Sequence, residues 1–477
     1  MSTARSPSAS LGLLDATMIG MGAMIGAGIF VLTGVAAEIA GPAAILVFAA
    51  NGVVTTFTAF SYAELASAVP KSGGGYAFVR EAFDDTISFI MGWMLWFAYM
   101  IAGTLYALGF APNFAHFVHE YIWSGFPAAE GNPLVIVGLA MLAVAGFVGL
   151  NALSTEASGG AETIVTIIKI IVLLIFAGFG AMAANTSEFE PFLIAGTTES
   201  SISILRAMGL SFIAFEGYDL ITTITEEVEN PRKNIPRAIF ISLGATVAIY
   251  MIVVFVAIGT LGAEGLGRFG ETGIARAAEG FMPLIPLVNL GGGALIAFGA
   301  VFSTISALNA VIIASSRIAF AMGREQQFPR ILGQIHPRFG TPWAAVLVSA
   351  IVMLATVGGS LAVGDAAVRA VGNLSSLFFL LSFVVVNGAV IKLRRDRPDL
   401  RRPYEMPLSP VPPVLGIVTN LVLGLFLPPF VWAIGIAWLL LGGGVYVLLT
   451  RYEIIGERAT PDDPGPDPEA EIEEPAG

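Results

Sequence analysis

Three groups of residues in this chain could do chemistry, and each sits in apolar surroundings. Lys169 lies in the middle of TIVTIIKIIVLLIFAGFGAMAA, which begins at Thr163. Glu216 and Asp219 flank Gly217 in LSFIAFEGYDLITTITEEVENP. Gly20, Gly22, Gly26 and Gly28 crowd MIGMGAMIGAGIFVLTG. A lysine at the centre of a membrane span costs roughly 2.5–3.5 kcal/mol on an insertion scale, so such a charge must face protein, water or a ligand. The amine can hold a proton or release it. The acids can pair with a cation or stay neutral. The glycines allow two readings. Glycine tolerates the dihedrals of an unwound stretch, and Gly22 and Gly26 also form GxxxG, a close-contact pattern between helices.

Other chemistries find no support. The chain has no cysteine, which removes disulfides, thiol nucleophiles and Cys-metal sites. His116 and His119 have i, i+3 spacing but no carboxylate motif around them, and they are expected in a loop, so no metal site is expected. No HExxH, GxSxG or paired-aspartate signature points to an enzyme. A net charge of −12 gives no reason to expect nucleic acid as a partner, and no cofactor is implied.

The elements that must position these residues are membrane helices. The chain is 56% hydrophobic and 12% charged with mean hydropathy +0.82, against about 25% charged residues in a soluble domain. Apolar runs long enough to cross about 30 Å of hydrocarbon are expected at 13–36, 42–66, 87–112, 133–152, 160–184, 201–225, 236–261, 286–318, 343–362, 371–392, 411–429 and 430–449. Pro428-Pro429 divides the last pair, since proline ends or kinks a helix. A transmembrane barrel would need alternating polar and apolar residues, which these runs lack. With both termini inside, 18 of the 23 Lys and Arg fall in inner segments, as the positive-inside rule requires. The expected organisation is an all-α polytopic membrane protein. It has a cytoplasmic N-terminal tail at 1–11, retained and not a signal peptide, and a ten-helix core at 12–392. A basic cytoplasmic loop at 393–410, two further helices at 411–450 and an acidic tail at 451–477 follow. Rich in Pro and acid, that tail is expected to be disordered.

The interruptions fall in the first and sixth spans, five spans apart. Repeats at about 12–184 and 200–392 would therefore have inverted topology. Paired broken helices in two such halves are the best sequence pointer to a transporter site. The N-terminal end of a half-helix favours an anion and the C-terminal end a cation. A zwitterion with carboxylate and ammonium on one carbon suits such a pair.

Four stretches carry a resemblance. GMGAMIGAGIF, YAELASAVPKSGGGYAFVREAF from Tyr62, FEGYDLITTITEEVENPRKNIPRAI from Phe215 and STISALNAVIIASSRIAFAMGREQQFP from Ser303 resemble signatures of the amino acid–polyamine–organocation permease superfamily. The likeness is greatest to its prokaryotic cationic-amino-acid-transporter-like members. The resemblance implies a LeuT-like 5+5 inverted repeat with discontinuous helices 1 and 6 plus two extra helices. It also implies secondary transport of amino acids across the plasma membrane. It places a substrate carboxylate on the backbone N–H groups of Ile25, Gly26, Ala27 and Gly28, where a side chain at Gly28 would fill the cavity. The amino group falls on the carbonyls of Ile213, Ala214 and Glu216, with Phe215 against the side chain. Lys169 matches a fifth-helix lysine that stands where sodium-coupled relatives of this fold hold a cation. Its implied partners are the carbonyls of Gly22 and Ile25 and the hydroxyls of Ser303 and Thr304. The implied coupling is proton symport without sodium, Asp219 being a second proton-handling candidate. An uncoupled exchanger is the alternative, and a channel would need a continuous polar lining that the sequence lacks. One departure stands out: Ala98 occupies the third-helix place where cationic-type members often carry glutamate, so side-chain preference stays open, as does oligomeric state. At the inner face, Arg232 and Lys233 are expected as topology-setting charges, and Glu64 and Glu226 are expected to pair with basic residues of that kind there.

Overall fold

The structure is a computed structural model. It describes residues 11–128, 132–153, 159–193, 197–285 and 290–452. The N-terminal tail and nearly all of the acidic tail lie outside the described residues.

Among those described, ten helices are long and apolar enough to cross a membrane. The fifteen-residue helix Val411–Leu425 and an interrupted segment over 197–227 complete the expected set. The first span runs Leu13–Met24, breaks, and resumes as Ala27–Phe30 and Leu32–Ala40. The second is Ala44–Ala68, the third Asp85–Tyr121, the fourth Pro133–Leu153 and the fifth Gly159–Ala183. The sixth starts as Thr197–Ser211 and continues in two 3₁₀ pieces, Phe212–Phe215 and Leu220–Glu227. Pro231–Phe269, Gly292–Arg324, Trp343–Val363 and Ala367–Asp396 are the seventh to tenth. Pro429–Arg451 is the twelfth.

Local chemistry explains several ends. Asp84 caps the third span by accepting from the Ile87 amide at 2.9 Å. Pro429 stands in the first turn of the twelfth, where its missing N–H is not needed. The third span outlasts its apolar stretch and carries His116 and His119 on its last turns, so the loop expected there is helix. His116 faces Glu279 at 3.1 Å and His119 faces the Phe126 carbonyl at 2.6 Å.

The pattern of exposure is that of a protein in lipid. Leu134, Leu142, Ile164, Ile171, Leu174, Met182 and Leu440 all face outward, whereas a soluble monomer rarely exposes a contiguous apolar patch beyond a few hundred Å². Polar side chains turn inward: Asn51, Thr55, Ser61, Glu64, Ser303 and Asn387 are fully buried. The fold is the LeuT-like inverted repeat. First packs on sixth, second on seventh and third on eighth, as expected when repeat mates lie beside a two-fold axis in the membrane plane.

One face of the bundle gathers the arginines, where Glu64 has the basic partners expected of it and Glu226 bonds an amide instead. Glu64 is held by Arg394 through two hydrogen bonds of 2.6 Å, by the Met406 amide at 2.8 Å and by Arg402 at 3.7 Å. Its partners are therefore the end of the tenth span and the following loop. Glu226 bonds the Ser72 amide at 3.2 Å. Arg232 donates to the Ser67 carbonyl at 3.0 Å. A buried carboxylate takes the guanidinium whose planar fork can reach it, however far off in sequence. Glu81, nearby, pairs with Lys71 at 3.3 Å and Arg397 at 2.6 Å.

Candidate functional site: two interlocked helix breaks

The first break is short. Ile25 leaves the helical region at φ −75, ψ 63, and Gly26 follows before helix resumes at Ala27. The Ile25 amide still bonds the Met21 carbonyl at 2.7 Å, and the Gly26 amide bonds the Met24 carbonyl at 2.8 Å. Two of the four amides expected to hold a carboxylate are thus engaged. Ala27 and Gly28 remain, at the start of the second half of the span, where first-turn amides lack helical partners.

The second break is wider. Glu216 is extended at φ −78, ψ 138, and Gly217 has φ 142, a conformation that favours glycine. The Ile213 carbonyl accepts from the Glu216 amide at 3.2 Å. The Ala214 carbonyl accepts from the Tyr250 hydroxyl at 3.0 Å. Two of the three carbonyls expected to receive an amino group therefore already have donors.

The breaks fit into one another. A Cβ on Gly28 would lie 2.7 Å from the Ala214 Cα, and a Cβ on Gly217 would lie 2.7 Å from the Met24 nitrogen. A side chain at position 28 meets backbone there, not the open cavity expected. Gly26 likewise sits against Ala307 of the eighth span. Of the two readings, close packing is what the first-span glycines show, since none of them has a positive φ, whereas in the second break Gly217 does. Tyr250, from the seventh span and fully buried, spans the junction, its hydroxyl touching the carbonyls of Met24 and Ala214. Phe215 is buried between Phe48 and Tyr250, with ring centroids at 6.0 and 5.4 Å.

The two acids differ in their surroundings. Asp219 accepts from the Tyr99 hydroxyl and, at 2.9 Å, from the Gly217 amide. Glu216 is 3% exposed, and among the described residues neither of its carboxylate oxygens has a hydrogen-bond partner. An acceptor buried without a donor carries the full cost of losing water.

Lys169 is 1% exposed. Its ammonium donates to the Gly22 carbonyl at 2.9 Å and to Ser306 Oγ at 3.0 Å. The other expected partners are engaged elsewhere. Ser303 donates to the Ile25 carbonyl, and Thr304 donates back to Ala300 at 2.8 Å within its own helix. Ser306 lies nearly one turn further along the eighth span, and it in turn donates to Glu162 at 3.0 Å. Glu162 and Ser306 also line a cavity of about 300 Å³ between the first, fourth, fifth, sixth and eighth spans, towards the arginine-rich face.

Sequence reasoning missed Glu162, Ser306, Tyr99 and Tyr250. Glu162 had a signal, since it precedes Lys169 by seven residues and shares its helix face. A tyrosine within an apolar run has none.

The amino acid permease family model matches residues 11–449. This chain belongs to the amino acid permease family. Its family is one of transporters, not enzymes. A branched-chain amino acid permease of Bacillus subtilis is 31% identical to this family member, covering 92% of this chain and 93% of the relative. A methylthioribose transporter of the same organism is 29% identical over 94% and 95%, and its serine/threonine exchanger is 27% identical over 85% and 88%. Among solved structures, a manganese transporter mutant of Eremococcus coleocola superposes with a TM-score of 0.60 at 13% identity, covering 95% of this permease-family chain and 99% of that one. These relatives bear different cargo in their names, so the family alone does not give the substrate.

Proposed function

We propose that this protein is a secondary active transporter that moves amino acids across the plasma membrane by alternating access, coupled to protons and not to sodium. Both termini are then cytoplasmic, and the cavity beside Glu162 opens inward. The observation that carries the reading is the Lys169 ammonium, braced between the first span at Gly22 and the eighth at Ser306. Carbonyl and hydroxyl oxygens there would suit a metal cation, and a protonated amine fills the same role. Protonated, it ties the first, fifth and eighth spans together. Neutral, it loses the charge that strengthens both bonds and lets them part. The amides of Ala27 and Gly28 receive the substrate carboxylate. The carboxylate of Glu216 is the open acceptor for an ammonium group, on the substrate's α-carbon or its side chain.

The test uses purified protein in liposomes with labelled leucine, threonine and arginine. Uptake into empty vesicles should follow an imposed inward proton gradient, be indifferent to a sodium gradient, and be lost in Lys169→Ala. Uptake only into preloaded vesicles identifies an exchanger instead. Proton-driven accumulation by Lys169→Ala removes that residue from the coupling role.

A further inference from the structure

A proton released by a buried lysine needs somewhere to go. Lys169 is sealed from water, and its two hydrogen-bond partners differ in what they can do. The Gly22 carbonyl only accepts. The Ser306 hydroxyl accepts from Lys169 Nζ at 3.0 Å and donates to Glu162 Oε1 at 3.0 Å, with Oε2 at 3.3 Å. Donor and acceptor directions therefore run one way, from amine through hydroxyl to carboxylate. Glu162 and Lys169 stand two helical turns apart, about 10 Å along the axis, too far for direct contact between their backbones. Long helical side chains lean toward the N-terminus of their own helix, which brings the ammonium back toward Glu162, and Ser306 closes the remaining gap from the eighth span.

The carboxylate reaches this place because of Gly22. A Cβ there would lie 2.6 Å from Glu162 Oε1. Glu162 also lines the cavity on the arginine-rich side. Among the described residues, the other charged groups nearby are committed. Asp15 of the first span accepts from the Gly12 amide at 3.1 Å and from Thr163 at 2.9 Å. Glu227 of the sixth pairs with Arg317 of the eighth at 2.9 Å across the same cavity. Glu162 alone among these carboxylates is joined to Ser306.

We propose that Glu162 is the acceptor for the Lys169 proton and hands it to water in the cavity, with the Ser306 hydroxyl as the relay. In the step, the N–H bond of Lys169 breaks and nitrogen keeps the electron pair. The Ser306 oxygen takes that proton while its own hydrogen passes to Glu162. An ammonium–carboxylate pair becomes an amine and a carboxylic acid, so charge is conserved and no other reactant is needed. The acid then loses its proton to the cavity. This inference rests on Lys169 as the coupling amine.

The experiment uses full-length protein in vesicles loaded with a pH-sensitive dye and a mixture of labelled leucine, threonine and arginine outside. Glu162→Gln, nearly isosteric, should lower proton-driven accumulation at least tenfold and flatten its pH profile while counterflow falls less than threefold, and Ser306→Ala should lower accumulation at least tenfold. If Glu162→Gln accumulates substrate within threefold of wild type and Lys169→Ala does not, the relay is overturned and the coupling reading stands. Equal losses of counterflow and accumulation mark a structural carboxylate and overturn it too. Wild-type vesicles that accumulate nothing under a proton gradient overturn both.

Discussion

Gly28→Ala is a small change at a demanding place. The added methyl would lie 2.7 Å from both the Cα and the Cβ of Ala214 and 3.2 Å from its carbonyl oxygen. Ordinary contact begins at 3.4 Å, so the halves must separate by roughly 0.7 Å, and the obstacle is partly backbone that cannot rotate away. Overpacking of this kind costs about 1–3 kcal/mol. If the cost falls on the state in which the breaks are nested, that state loses about 5- to 150-fold in population relative to states in which they part. Uptake should fall by a similar factor, and the protein should survive heating less well in detergent, read by fluorescence-detected size exclusion. Gly138→Ala is the control, because among the described residues nothing lies within 4 Å of its Cβ and alanine favours a helix over glycine by about 1 kcal/mol. Adding Ala214→Gly removes one of the three close atoms and should restore part of the loss. If Gly28→Ala matches Gly138→Ala in both uptake and heat resistance, the nested contact does not constrain the transporter.

Glu216→Gln should weaken binding of arginine much more than binding of leucine if the orphan carboxylate recognises a cationic side chain; equal losses across a thermal-shift panel would refute that role. Glu64→Ala should cost about 3–5 kcal/mol, the range for breaking a buried ion pair, and should expose the chain after Arg397 to proteolysis; an unchanged cleavage rate would count against the clamp. Burial alone would raise the Glu81 carboxyl, but Lys71 and Arg397 outweigh it and hold the group below its ordinary value of 4.5. Its stabilising contribution is then complete above pH 4.5 and fades as pH falls through the lowered value, so Glu81→Gln should be less heat-resistant than wild type at neutral pH, with the gap closing in acid. A gap that widens in acid would contradict the assigned sign.

The spans were legible because lipid demands long apolar runs, and the breaks because acids are costly inside such runs and glycines crowd the first. Lys169 announced itself for the same reason. What the sequence withheld was rotation and distance. Ser303, Thr304 and Ser306 point in different directions around one helix, and only the packing angle of the eighth span decides that Ser306 meets the ammonium. Glu64 was expected to find a basic partner, but nothing in the sequence said that it would be Arg394, 330 residues away in the chain. His116 was expected in a loop beyond the third span, yet the helix runs on to Tyr121 and His116 faces Glu279 from it. Tyr250 left no trace, since a tyrosine among Ile and Val is ordinary until its hydroxyl is seen to touch two carbonyls.

That hydroxyl carries one hydrogen and faces two acceptors, Met24 on the first span and Ala214 on the sixth. A phenolic hydrogen prefers the plane of its ring, which leaves it two resting orientations. At any instant one carbonyl is bonded and the other waits. The choice is made by turning a single O–H bond, with no heavy atom displaced. The junction between the two halves of the protein thus contains a two-position rotor, and each inverted repeat owns one of its stops.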